Sequence, residues 1–72
     1  RSPLLPISNM PEGSSGIVEF IALPGQDIKT LDKQQISIGV NISKIQNSIN
    51  VSGNPILLSE SLTKRILVRL EE

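Results

Sequence analysis

Apolar positions along the chain fall in short groups separated by turn residues, a pattern typical of β-strands. Residues 13–16, GSSG, predict a turn, and residues 17–23, IVEFIAL, predict a strand. Alternate residues of that strand are mostly apolar on both faces. We therefore expect a central strand that is covered on both sides.

Two short strands are predicted next, at SKIQ (43–46) and INVS (49–52), around a tight Asn47–Ser48 turn. An unbroken strand over residues 44–52 is the alternative, since its isoleucines and valine share one parity. The polar pair in the middle favours the turn. SGNP, residues 52–55, predicts a further turn.

Helical spacing is found in residues 28–38, IKTLDKQQISI, after a predicted PGQD turn at 24–27. Gly39 is the expected stop signal. Lys29 and Lys33 lie on the face opposite the predicted inward stripe, which comprises Ile28, Leu31, Gln35 and Ile38. Because burying an amide without partners is unfavourable, replacing Gln35 by leucine should stabilise the fold.

Residues 56–68, ILLSESLTKRILV, permit two interpretations. Leucines and isoleucine four apart suggest one amphipathic helix, but the polar residues cluster in the middle rather than recurring periodically. Ser59 is a good N-cap for a single helical turn. The sequence therefore favours a strand, one helical turn and a second strand.

Residues 1–12 contain three prolines and predict an extended arm that packs on the body. Residues 13–72 then form the domain itself. Several short strands with frequent turns predict a mainly β fold, a small barrel of about five antiparallel strands with one short helix and a helical turn.

Composition excludes several function classes. Seven basic and seven acidic residues cancel, and Phe20 is the one aromatic residue, so neither a cationic surface nor a stacking platform for nucleic acid is expected. The apolar runs are too short for membrane insertion. We expect no direct nucleic acid binding and no membrane insertion.

Catalytic and metal-ligating residue types are scarce in the sequence. The chain has no histidine and no cysteine, which removes the usual activating base for serine and the usual ligands of iron and zinc. The acidic residues are scattered and are expected to be solvated. We predict a protein that is not an enzyme, with no catalytic residues, no cofactor and no metal site.

Three segments, EGSSGIVEFI, LDKQQISIGV and VSGNPILLSESLTKRILV, resemble the FeoA core domain in order and spacing. The family pattern is a glycine turn followed by Ile-Val, a helix ending in Leu-x-Leu-Gly, and a final apolar block. The matching positions are Gly16, Ile17, Val18, Ile36, Ile38, Gly39, Leu58, Ile66 and Val68. The chain departs from the pattern at NIS (41–43), at a shorter hairpin near Asn47, and at Gln35, where leucine is common.

The resemblance implies an SH3-like barrel and a noncatalytic accessory role in ferrous iron transport, a process linked to transition-metal ions. The implied partner is the cytoplasmic part of a FeoB-like membrane transporter, and the implied location is the cytoplasm. The alternative is the C-terminal SH3-like domain of an iron- or manganese-dependent repressor of the diphtheria-toxin-repressor type.

A partner-binding surface is expected on the predicted helix, where Lys29 and Lys33 flank Ile36. Two interpretations of this surface are open. Either it docks a segment of the transporter, or Ile36 packs onto the barrel and the lysines are solvated.

Overall fold

The computed structural model describes residues 2–71; Arg1 and Glu72, the outer ends of the predicted arm and domain, lie outside this range. A 3-10 turn at Ile7–Asn9 follows the first strand. The helices are α1, Gly25–Lys33, and α2, Glu60–Thr63. The strands are β1, Leu4–Pro6; β2, Ser15–Ile21; β3, Asn41–Ile45; β4, Ser48–Val51; β5, Asn54–Ile56; and β6, Ile66–Leu70.

The strands form one antiparallel sheet in the order β1-β6-β2-β3-β4-β5. Ile7, next to one end of the sheet, and Ile49, near the other end, belong to one buried cluster. The sheet therefore curls around a shared core. The prediction of a small, mainly β SH3-like fold is confirmed, with six strands within residues 2–71 instead of about five.

The core consists of aliphatic side chains and one methionine. Its buried members are Ile7, Met10, Val18, Ile21, Leu31, Ile36, Ile42, Ile49, Val51, Ile66 and Val68. Among the described residues no charged or polar side chain is buried. Stability therefore depends on apolar burial and on the hydrogen bonds of the sheet.

The first helix begins and ends earlier than the sequence predicts. Pro24 precedes it with φ −61°, and the predicted PGQD turn forms its first turn. The helix stops at Lys33 rather than near Ile38 because Gln35 adopts φ 66°. The predicted inward stripe is confirmed only at Leu31, since Ile28, Gln35 and Ile38 are all exposed.

A β-bulge in β2 explains why this strand is not covered on both faces. The register against β6 shifts between Val18 and Phe20, so Glu19 is the extra residue. Val18 and Ile21 are both buried despite their odd spacing, while Phe20 is 54% exposed. The prediction of a doubly covered strand is therefore wrong at Phe20.

Two tight turns connect β3, β4 and β5. Gln46 and Asn47 have φ values of 52° and 63°, and Ser52 and Gly53 have 49° and 87°. Two consecutive left-handed residues are typical of the type I′ hairpin turn. The two-strand interpretation of this region is confirmed, with the turn one residue earlier than predicted.

The helical turn and the second strand form within residues 56–68 as the clustering of polar residues predicts, whereas the preceding strand, β5, ends at Ile56 and leaves Leu57 and Leu58 outside it. The Ser59 hydroxyl accepts a hydrogen bond from the Leu62 amide at 3.4 Å and caps α2. Lys64 and Arg65 then lead directly into β6. A continuous amphipathic helix does not form.

The N-terminal segment is bonded to the rest of the domain. β1 pairs with β6, and the Leu70 amide donates to the Pro3 carbonyl at 3.0 Å. Further along, the exposed Glu12 carboxylate accepts hydrogen bonds from the amides of Gln46 and Asn47. These bonds connect the segment to the β3–β4 turn. They also hold the pKa of Glu12 below its usual range, and the bond from the Gln46 amide contributes most to this shift.

Candidate partner-binding groove

A groove of about 750 Å³ lies between α1, the C-terminal half of β2 and the segment that follows α1. This volume is in the range of small-ligand and side-chain pockets. Its lining residues are Phe20, Ile21, Ile28, Lys29, Asp32, Lys33, Ile36, Ser37 and Ile38. The lining of this groove is more apolar than that of the cavity beside α2.

Three large apolar side chains are exposed in the groove. Phe20 is 54% exposed, Ile38 61% and Ile28 37%. The Gly39 amide donates to the Val18 carbonyl at 2.8 Å, which fixes the segment carrying Ile38 beside β2. The exposure of Ile38 and Phe20 is thus a consequence of backbone bonding and of the bulge, not of a frayed end.

One rim of the groove is cationic. Lys29 and Lys33 are four residues apart on α1, so they occupy the same face of the helix. Within residues 2–71 neither ammonium lies within ion-pair distance of a carboxylate. Asp32 also lines the groove, which leaves the rim with a net positive charge.

The sequence-predicted site residues are brought to this groove, but not in equal roles. Lys29 and Lys33 line it from α1, as their helical spacing predicts. Ile36 is fully buried beneath its floor and belongs to the core, so it offers no surface of its own to a partner. Ile36 therefore packs onto the barrel, while partner contact through Lys29 and Lys33 stays a prediction.

Phe20 and Ile38 are groove residues that sequence reasoning missed. The alternation of β2 predicts a covered Phe20, and the helical stripe predicts an inward Ile38. The bulge at Glu19 reverses the first expectation, and the left-handed Gln35 reverses the second. The isolated aromatic residue in an otherwise aliphatic chain was the available signal.

A second cavity has mixed character and lies beside α2. It is lined by Ala22, Glu60, Ser61, Lys64, Arg65 and Leu67. Both charge signs are present along it, and its polar side chains, Glu60, Ser61, Lys64 and Arg65, are exposed. It lacks the apolar walls of the groove beside α1.

Arg69 and Glu19 form a bidentate ion pair on the outer face of the sheet. The Arg69 Nε and Nη2 groups donate to the two carboxylate oxygens at 3.1 and 3.0 Å, and Nη1 donates to the Ser2 carbonyl at 2.9 Å. The hydrogen bonds between the two side chains lower the pKa of Glu19 and raise the pKa of Arg69. This pair joins β2, β6 and the N-terminal segment and has a structural role.

Residues 2–71 contain neither a group of metal-binding side chains nor a membrane-spanning helix. No three histidine, cysteine, aspartate or glutamate residues are grouped closely enough to hold a metal ion, as far as residues 2–71 extend. Neither α1 nor α2 is long and apolar enough to cross a membrane.

No protein-family model matches the chain, and no curated protein matches it in sequence. Among solved structures, the crystal structure of an iron uptake regulatory protein, FeoA, determined by sulfur SAD in a monoclinic space group, is similar with a TM-score of 0.86. The two chains share 25% sequence identity, and the match covers 96% of this chain and 99% of the other. The resemblance inferred from the sequence is confirmed: this chain has the SH3-like fold of the FeoA family.

Proposed function

We propose that this protein is a noncatalytic accessory protein of ferrous iron uptake. It acts in the cytoplasm by contact with the cytoplasmic part of a FeoB-type membrane transporter. The observation that carries the proposal is the similarity to the FeoA crystal structure, which extends over 96% of this chain at 25% identity. The order of the sequence motifs supports the same assignment.

The groove beside α1 supports a function by protein contact. It combines exposed apolar side chains, Phe20 and Ile38, with a cationic rim formed by Lys29 and Lys33. Apolar surface surrounded by charge is typical of sites that bind another protein. Ile36 has only an indirect role in this contact, because it is buried beneath the groove and supports the residues that line it.

The experiment uses a bacterial strain that has a FeoB-type transporter and lacks its FeoA protein. This chain should restore ferrous iron uptake and co-purify with the transporter. The Lys29→Ala/Lys33→Ala variant should lose both properties in part, because the rim charges are removed while the core is untouched.

Lys64→Ala is the matched control, since Lys64 is an exposed lysine beside the other cavity. It should behave like the wild type. Wild-type protein that neither co-purifies with the transporter nor restores uptake would refute the proposed function. Full activity of the Lys29→Ala/Lys33→Ala variant would show that the two lysines are not needed for contact, and the proposed function itself would stand.

A further inference from the structure

We propose that the groove beside α1 binds an amphipathic helix that carries acidic residues one turn apart. Phe20 and Ile38 pack against its apolar face, and Lys29 and Lys33 pair with its carboxylates. This inference rests on the proposed function and specifies the chemistry of the partner segment at that site.

The exposed hydrophobic residues converge on one surface. Phe20, Ile28 and Ile38 are on three different pieces of backbone, yet all three line the same groove. Each retains enough accessible apolar surface for burial against a partner to be favourable. An aromatic anchor beside aliphatic walls is the usual centre of a protein-binding site.

The two lysines of the rim have the spacing of one helical turn. Lys29 and Lys33 are one helical turn apart, a rise of about 6 Å along α1. Two like charges at this spacing destabilise an isolated helix slightly, and within the described residues no carboxylate neutralises them. A second helix that lies along α1 presents carboxylates at positions i and i+4 with the same repeat, so both ammonium groups can pair with it.

Strand addition does not fit the same groove. β2, which forms one wall, is paired with β6 along residues 16–21, while on its other side it is paired with β3 only at residues 15–17 and is bonded through Val18 to Gly39 and Val40. Within the described residues this leaves an edge of three residues, 19–21, which is shorter than the mean strand of about five to six residues and offers an extended segment few backbone hydrogen bonds. The outer strands of the sheet, β1 and β5, each contain a proline, Pro6 and Pro55, which interrupts an edge. Docking of side chains from a helix is the mode that remains.

The test uses the full chain and two synthetic peptides of about 18 residues, long enough to form a helix in part. Both carry a leucine stripe at i, i+3, i+4 and i+7. The first has glutamates and the second lysines on the positions that flank the stripe. Fluorescence anisotropy of labelled peptide measures binding. The wild type should bind the glutamate peptide about tenfold more tightly, as two exposed charge pairs allow.

Two variants and one control separate the contributions. Lys29→Glu/Lys33→Glu should reverse the preference between the peptides. Phe20→Ser/Ile38→Ser should weaken binding of both peptides, because the apolar anchors are lost. Ile45→Ser is the control, since Ile45 is 51% exposed but lies outside the groove. Circular dichroism melts establish that each variant is folded.

Equal affinity of the wild type for both peptides, or binding of neither, would overturn the inference. An unchanged preference in the charge-reversal variant would overturn it as well. None of these outcomes bears on whether the protein associates with the transporter, which the co-purification experiment decides separately. The two proposals can therefore fail independently.

Discussion

The Ile36 amide donates a hydrogen bond to the Leu31 carbonyl at 3.0 Å and closes the C-terminal end of α1. The Gln35 amide donates to the Asp32 carbonyl at 2.9 Å in the same turn. Together these two bonds form a Schellman motif, in which Gln35 occupies the left-handed position with φ 66°. The side chains of Ile36 and Leu31 are both buried, as this motif's hydrophobic contact requires.

Gln35→Gly should stabilise the fold. A side chain in the left-handed region costs about 1–2 kcal/mol, and glycine removes that cost while increasing the flexibility of the unfolded chain. We expect a net gain of about 1 kcal/mol, which corresponds to a rise of several degrees in melting temperature for a domain of this size. Thermal melts followed by circular dichroism provide the measurement.

Gln35→Leu is the companion variant, and here the structure replaces the expectation drawn from the sequence. Leucine at an exposed left-handed position buries no additional surface, so the predicted stabilisation should not appear. A higher melting temperature for Gln35→Leu than for Gln35→Gly would contradict this account of the helix end.

Gln35 also shows why the end of α1 could not be predicted from periodicity. Ile28, Leu31, Gln35 and Ile38 have good helical spacing, but spacing carries no information on a φ change at one residue. Glycine or asparagine at that position would have signalled the stop. The chain instead places the left-handed turn at a glutamine, and Ile36 takes the inward position that the pattern assigns to Ile38.

Prediction succeeded where polar residues are grouped in sequence. The cluster around Ser59 defines α2, and the polar pair near Asn47 defines the β3–β4 hairpin. The prediction failed at β2, because a bulge moves the residues after it to the opposite face of the strand and the amino-acid sequence gives no indication of the bulge. The cationic rim of the groove, Lys29 and Lys33, follows from helical spacing, whereas its apolar wall at Phe20 depends on that bulge.

Gly16→Ala should strongly destabilise the domain. A Cβ at this position of β2 would clash with the carbonyl oxygen of Arg69 and would lie 2.6 Å from Val68 Cγ1. The backbone of the paired strand cannot move away without loss of β2–β6 pairing. Overpacking costs about 1–3 kcal/mol and occasionally more, a large share of the stability of so small a domain. Urea unfolding measures the loss.

Gly25→Ala is the matched control for that variant. No atom lies within 4 Å of a Cβ built on Gly25, and the residue is at the start of α1. Alanine is the better helix former, so stability should stay level or rise by a fraction of a kcal/mol, roughly 0.5. Equal urea midpoints for Gly16→Ala and wild type would show that the strands can separate without cost.

Glu12 should make the stability of the domain depend on pH. The pKa of its carboxyl is lowered from the ordinary value of 4.5, chiefly by the hydrogen bond from the Gln46 amide. A group whose pKa is lower in the folded state contributes stability above its unfolded pKa, and that contribution is lost as pH falls through the folded pKa. The wild type should therefore be more stable than Glu12→Gln at neutral pH.

The difference between the two proteins should be constant well above pH 4.5, begin to shrink as the pH approaches that value, and disappear as the pH falls through the lower pKa of the folded state. Urea midpoints at a series of pH values test this. Glu60→Gln serves as a comparison, because the Glu60 carboxylate is exposed and, within residues 2–71, accepts no hydrogen bond from a backbone amide. A gap between wild type and Glu12→Gln that widens on acidification would contradict the proposed role of Glu12.

The chain by itself should bind neither ferrous iron nor zinc tightly, in spite of the proposed link to iron uptake. It has no imidazole or thiolate ligand, and no acidic group of three is assembled within the described range. Isothermal titration should give no stoichiometric site, and a chelator should leave the melting temperature unchanged. A saturable site of micromolar affinity would contradict this prediction.

Phe20→Ala should separate binding from stability. Phe20 is 54% exposed, so its truncation removes little buried surface and should cost about 1 kcal/mol or less. Ile66→Ala, in the core of β6, should cost about 2–5 kcal/mol because Ile66 is fully buried. If the groove is the contact site, Phe20→Ala should nevertheless weaken co-purification with the transporter, whereas a folded fraction of Ile66→Ala should retain it. A Phe20→Ala protein as unstable as Ile66→Ala would mean that this aromatic residue is retained for packing, not for a partner.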